Sequence, residues 1–433
     1  MSSRHQTRRR VLLAALSTPF WSLAARAAAP AGGRTSILDA GAVADGATVN
    51  TRAIQSAIDG LAAKGGGTVV VPKGLFVSGA LFMKPKVNLH LEQGAVLRCS
   101  TDMKNFPPQR TRIEGHFEES FNPALINASG CDGLQITGAG TFDGAGMPIW
   151  EEFWRLRKAA PDPHNFKNLG VPRARLALIE NSRGVVIDGI TFKDSQFWNL
   201  HLYKCQQVQV RNSRFEVPDD YKQAPSTDGI DLDSCQDVTV DGCTFSVTDD
   251  CIAAKGSKGP HAMQDKDSPP VERIRIRNCT FKRGNGALTL GSEATIVRDI
   301  VVENCTVTNA NALAVIKLRP DTPQHYEDIH FRNITLAATR TDNAIIAMRP
   351  WSQYFDLKGE APPQSIVRNI SFEGIRGRIG TFGAMKPNPG QTSISDIRFK
   401  DVDVQATKGQ PDVSGVEKLR YENVAVNGKA LTA

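Results

Sequence analysis

Two short stretches hold the residues whose types and spacing could do chemistry. "STDGIDLDSC" (226–235) and "TDDCIAAKG" (248–256) share a Thr-Asp start, so Thr227 and Thr248, and likewise Asp228 and Asp249, lie 21 residues apart. If the chain coils back on itself at about that interval, stacked strands about 4.8 Å apart place Asp228 beside Asp249. Asp250 is adjacent in sequence. Three carboxylates that close cannot all ionise freely at neutral pH. Like charges raise at least one pKa, and the titration belongs to the group. Such a cluster can hold a protonated acid next to an ionised base, the pairing that glycosidic bond cleavage requires. Two plainer readings stand beside it: a solvated Asp-Asp turn, and a calcium site built from clustered carboxylates.

A repeat supplies the coil. An eight-residue pattern alternates hydrophobic and other residues, with Asn, Asp or Gly in its fifth slot. It reads "VVIDGITF" from Val185, "VQVRNSRF" from Val208, "VTVDGCTF" from Val238 and "IRIRNCTF" from Ile274. It continues as "IVVENCTV" from Ile300, "IHFRNITL" from Ile329, "IRFKDVDV" from Ile397 and "LRYENVAV" from Leu419, with weaker copies from Leu134 and Ile370. The shortest spacings, 22 and 23 residues, read as one turn of a β-solenoid, and the longer ones as a turn with an inserted loop. Alternation within each copy is strand-like. Asn, Asp and Gly tolerate the left-handed backbone of a sharp bend. One unit cannot bury its apolar face alone, so neighbours must stack.

Cys243, Cys279 and Cys305 share the sixth slot of three copies. They read as a ladder of buried thiols, since a free Cys behaves as a small hydrophobe. Disulfides are the rival reading for the eight cysteines, and no Cys-x-x-Cys or His cluster marks a metal site. Ahead of the repeats, "NTRAIQSAIDGLAAKGGG" (50–67) predicts one helix. Asn50 or Thr51 caps it, Ala53, Ile54, Ala57, Ile58 and Leu61 form its apolar stripe, and Gly65 ends it. A solenoid exposes its core at its ends, so this helix is expected to cap one of them.

Residues 1–27 are set apart. An arginine run, the short apolar stretch "VLLAAL" and the small-residue end Ala25-Arg26-Ala27 read as an export signal, with paired arginines of the twin-arginine type. A membrane anchor fits less well, because the apolar run is too short to span about 30 Å. The segment holds five arginines and no acid, so its removal lowers the net charge from +7 to +2. That balance excludes a strongly basic nucleic-acid binder. The expected mature chain is one domain over 28–433, periplasmic or secreted, monomeric and not membrane-bound.

In this order, "STDGIDLDSC", "TDDCIAAKG", "RGNGALTLGSEA" and "VIKLRPDT" resemble the four signature segments of glycoside hydrolase family 28, the polygalacturonases. "VADGATVNTRAIQSAIDGLAAKGGGTVVVPKG", "SQFWNLHLYKC" and "RPWSQYFDLKG" are similar to bacterial pectin-degrading members, and the resemblance covers most of residues 36–404. It implies an all-β fold, a right-handed parallel β-helix, that needs no cofactor. It also implies inverting hydrolysis of α-linked galacturonan, with pectic poly- or oligosaccharide as partner. Asp249 would be the general acid, with Asp228 and Asp250 holding the water. An inverting pair usually stands about 6.5–9.5 Å apart, so the strands or side chains should splay here.

The chain departs from the family pattern at three places. Ser226 replaces an Asn, Gly284-Asn285-Gly286 replaces Gly-His-Gly, and Val315-Ile316-Lys317 replaces Arg-Ile-Lys. Asn285 can hydrogen-bond but not titrate, and Val315 cannot bind an anion. Lys317 remains. Arg319, two residues on, would face the same side of a strand and restore a bidentate guanidinium, unless it is a plain surface arginine. Lys255, five residues beyond Asp250, is a further substrate-binding candidate unless it is a solvated lysine, as is His201, unless that histidine is structural. Trp351, Tyr354 and, more weakly, Tyr326 are candidates for stacking on sugars. Inserted segments at 143–176, 216–226 and 256–271 are long enough to wall a cleft, which points to exo-action. A rhamnogalacturonan-specific hydrolase, a pectate lyase and a non-catalytic carbohydrate-binding β-helix are the rival functions.

Overall fold

A computed structural model describes residues 32–432, and the expected export signal at 1–27 lies outside them. Gly32–Ala433 form one compact unit. It is a right-handed parallel β-helix in which almost every strand pairs in parallel with the equivalent strand one coil away.

The repeat explains the coil. All ten fifth-slot residues, from Gly138 to Asn423, have φ between 52° and 116°. Each bend therefore needs a left-handed backbone, and the sequence offers only Gly, Asn or Asp there. Apolar slots stack into ladders that run along the helix axis. Phe192, Phe215, Phe245 and Phe281 lie face to face with centroids 4.8, 5.0 and 5.2 Å apart. Phe331, Phe372 and Phe399 repeat the arrangement at 4.8 Å. Each such pair adds about 0.5–1.5 kcal/mol beyond its area burial. All eight cysteines are buried and free, and the Cys279 amide lies 3.4 Å from the Cys305 sulfur, so the thiol ladder holds and the disulfide reading does not.

Helix α1 (Thr51–Ala63) buries Ile54, Ala57, Ile58 and Leu61 against the first coil, as the stripe predicts. Its capping differs from expectation. Asn50 turns its side chain to Val43 and Thr48, and the Thr51 hydroxyl accepts from the Gly79 amide at 2.7 Å. Two inserted elements matter for the site. Helix α2 (Met147–Ala159) lies inside the 143–176 insertion and buries Trp150 and Phe153. The strands Gln109–Ile113 and His116–Phe121 form an antiparallel hairpin.

One stack of strands carries the candidate residues. Ala177–Glu180, Leu200–Tyr203, Ile230–Asp233 and Ile252–Lys255 pair in order, followed by Leu288–Leu290 and Ala314–Ile316. Ile230, Ile252, Leu288 and Ala314 point into the core, as do Leu232, Ala254, Leu290 and Ile316. The alternate residues form an outward file: His201, Asp231, Ala253, Thr289, Val315.

Candidate active site

The Thr-Asp spacing of 21 holds only at the threonines, whose hydroxyls meet at 2.9 Å. From Ile230 onward the strands pair 22 residues apart, Ile230 with Ile252. The Gly229 amide donates to the Asp250 carbonyl, so Asp228 is in register with Asp250 rather than Asp249. "Thr-Asp-Asp-Cys-Ile" has one residue more than "Thr-Asp-Gly-Ile". Asp249 is that extra residue, and the bulge it makes turns a ladder pair into a cluster. One carboxylate oxygen from each of Asp228, Asp249 and Asp250 lies within 4.8 Å of the others. The side chains have converged rather than splayed, which corrects the expectation of a wide gap.

Asp228 and Asp250 are 2% and 1% exposed, whereas Asp249 is partly open. Asp250 is fully engaged. Lys317 Nζ lies 2.7 Å from its Oδ2, and Asn285 Nδ2 and Thr289 Oγ1 donate to Oδ1 at 2.8 and 2.7 Å. Burial alone would raise its pKa, but Lys317 and Lys255 outweigh that and hold Asp250 below the usual carboxylate range. Burial, then the neighbouring Asp250, pushes Asp249 up. Burial, then Asp249, pushes Asp228 well up. One carboxylate is thus held towards its ionised form beside two neighbours shifted towards their protonated form. This donor set would also suit a cation by spacing, but two lysine ammoniums already supply the positive charge.

Lys255 is the second hub. Its Nζ lies 3.6 Å from Asp228, 3.7 Å from Asp231 and 3.8 Å from Glu293, and 4.9 Å from the Trp198 ring centroid. Lys317 meets the Trp351 ring at 5.0 Å. Glu293 and Asp231 belong to the site, though sequence reasoning singled out neither. Glu293 sits within the quoted "RGNGALTLGSEA", and Asp231 within "STDGIDLDSC". Nothing in those residue types alone separates them from surface acids. Burial raises the Asp231 carboxyl to about 8.

Four candidates do not line the cavity above the acids: Asn285 acts on it only through its bond to Asp250, and Arg319, His201 and Tyr326 do not reach it. Arg319 is 1% exposed and clamps Asp321 with two bonds of 2.8 Å, so it does not replace the missing arginine. Its strand ends at Leu318, where the alternation behind that expectation stops. His201 is buried between Arg175 (2.8 Å) and Asp233 (3.5 Å), and burial lowers its pKa to about 4, so it is a neutral structural residue. Tyr326 is fully buried and bonds Gln324 at 2.7 Å, which corrects the stacking reading.

The acids form the floor of a cavity of about 400 Å³. Trp154 and Arg157 from α2, Lys222 and Gln223 from the 216–226 segment, and Trp351 and Tyr354 form its walls, with Glu114 from the hairpin. The 256–271 segment does not line it. That segment packs behind, where the Asp267 carbonyl accepts from the Tyr203 hydroxyl at 2.8 Å. Gln353 Nε2 stands 3.5 Å from the His164 carbonyl, so the segment after Pro350 meets the 143–176 insertion beside the cavity.

Among known proteins, the family model described as glycosyl hydrolases family 28 matches residues 68–425. A probable polygalacturonase of Vitis vinifera is 26% identical over 311 residues, which are 70% of this chain and 60% of that protein's length. An exopolygalacturonase of Zea mays is 27% identical over 72% of this chain and 69% of its own. Among solved structures, a hyperthermoactive exopolygalacturonase from Thermotoga maritima overlays with a TM-score of 0.72 at 21% identity, covering 92% of each chain. A polygalacturonase from Erwinia carotovora overlays with a TM-score of 0.67 at 18% identity, covering 92% of this chain and 97% of its own. These overlays share the β-helix fold.

Proposed function

The chain belongs to glycosyl hydrolases family 28 and is a glycosidase, and from that premise we propose that it releases galacturonosyl units from the ends of pectic chains by inverting hydrolysis. The observation that carries this reading is the division of labour among the acids. All three line the cavity, but Asp249 is the most exposed of them and holds a raised pKa, as a general acid must. It protonates the glycosidic oxygen. Asp250 stays ionised but has donors on both oxygens and is 1% exposed, so it cannot attack a sugar carbon. With Asp228 it holds the water that does, and as the ionised carboxylate it accepts the proton that water loses on attack. This favours single displacement, although the carboxylates stand closer than inverting pairs usually do. Proton NMR of the first anomer released from an oligogalacturonate tests it; the retained anomer would contradict it.

Exo-action is supported by the contact of Gln353, which lines the cavity, with His164 of the 143–176 insertion, and by the exopolygalacturonases among the relatives. Residues 1–27 act as a removable twin-arginine signal on this reading. The mature 28–433 domain then works as a monomer in the periplasm or outside the cell. A second reading, rhamnogalacturonan as substrate, has one observation in its favour. Val315 packs with Ala312 and Ala344 in an apolar cluster where the family signature has arginine, and such a surface suits the methyl group of a 6-deoxy sugar better than a carboxylate. Comparing product release from the two polymers separates these readings.

A further inference from the structure

The floor of the cavity carries four acids, Asp228, Asp249, Asp250 and Glu293, with Asp231 buried behind Lys255. Lys255 and Lys317 are the lysines among them, and both are already ion-paired. Arg319 is bound to Asp321. An anionic sugar therefore meets a floor with no free cation. Among the residues that line this cavity, the unpaired positive charges are on the wall formed by α2 and the 216–226 segment.

There, Trp154 ties two separate segments together. Its indole N–H donates to the Gln223 carbonyl at 2.5 Å, next to Lys222, and its ring faces the Arg157 guanidinium at 5.4 Å. Arg157 Nε donates to the Pro163 carbonyl at 2.9 Å, which leaves both terminal nitrogens free as a fork. Among the described residues neither Arg157 nor Lys222 is ion-paired, and both line the cavity. We propose that Arg157 and Lys222, held on one wall by Trp154, are the specificity-determining pair that binds the carboxylate of the substrate's sugar in place of the absent floor arginine. This rests on the uronate reading above. A bidentate guanidinium on a carboxylate, assisted by a nearby ammonium, recognises the free acid and rejects its methyl ester.

The test measures binding of a galacturonate trimer and its methyl ester by calorimetry to Asp249→Asn, with and without Arg157→Gln and Lys222→Gln. Charge-assisted bonds of this kind correspond to roughly tenfold in affinity each. The double substitution is expected to weaken the acid trimer at least about tenfold and to flatten its salt dependence, with a much smaller effect on the ester. Arg157→Lys should restore part of the loss, and Trp154→Phe, which keeps the ring but not the N–H, should show part of it. Equal weakening of acid and ester, or no weakening, overturns the inference alone. If the folded Asp249→Asn protein binds neither trimer, the uronate reading fails and the inference with it.

Discussion

Lys317 and Asp250 meet at 2.7 Å with side chains only 10% and 1% exposed. The pair sets the charge state of the site. Removing the cation leaves a buried carboxylate that must take up a proton or remain uncompensated. Lys317→Met is expected to cost about 3–5 kcal/mol in stability. It should also lower kcat at least about 100-fold, the scale of removing one preorganised electrostatic group. Urea unfolding and initial rates check both.

The pH profile follows from the opposed shifts. Asp250 is lowered, so its ionised form persists to more acidic pH and is lost as pH falls through a value below the ordinary 3.8. Asp249 is raised from 3.8, so its proton persists to higher pH and is lost as pH rises. Plotted against pH, kcat/KM should be bell-shaped, with its acid limb below 3.8 and its alkaline limb above it. Asn285→Ala deletes one bond to the ionised Asp250 and should move the acid limb upward, leaving the alkaline limb in place.

Asp231 yields a stability prediction of the opposite sign. Both its oxygens are buried without a hydrogen-bond partner, and its pKa rises from 3.8 to about 8. A raised carboxyl contributes most below its unfolded value and loses that contribution as pH climbs from 3.8 to about 8. Asp231→Asn should therefore stabilise the fold by about 1–3 kcal/mol at pH 8, with little gain at pH 4. Melting curves at the two pH values decide it; a gain that shrinks as pH rises would contradict it.

The coil was legible because one slot obeys one rule. From Gly138 to Asn423 every fifth slot needs a left-handed backbone, and only three residue types appear there. The acids were legible as types, but their contact was not. A reading at fixed spacing aligned Asp228 with Asp249, whereas the one-residue bulge aligns it with Asp250. Arg319 was misjudged because strand alternation was extended past Leu318. Helix α2 was hidden inside what read as a loop. Its Trp150 and Phe153 pack on a local surface rather than on the repeat's core, so no periodicity of the coil announces them. Asp231 and Glu293 enter the site through Lys255, a meeting of three coils that no local pattern encodes.

The thiol ladder is checked chemically. With all eight cysteines free and buried, the folded protein should resist a thiol reagent, and the denatured protein should titrate eight thiols. Its melting temperature should not respond to a reductant. Fewer than eight thiols on denaturation would mean that pairs had oxidised.

The central claim is that Asp249 donates the proton in exo-hydrolysis of a uronate chain. Its most direct test is reducing-end release with product sizing from polygalacturonate and from rhamnogalacturonan oligomers, comparing the unsubstituted protein with Asp249→Asn. The account predicts monomer from polygalacturonate at the earliest times. In the variant that release should fall at least about 100-fold with binding retained. Undiminished turnover in Asp249→Asn, or no release from either substrate by the unsubstituted protein while it still binds them, would contradict it.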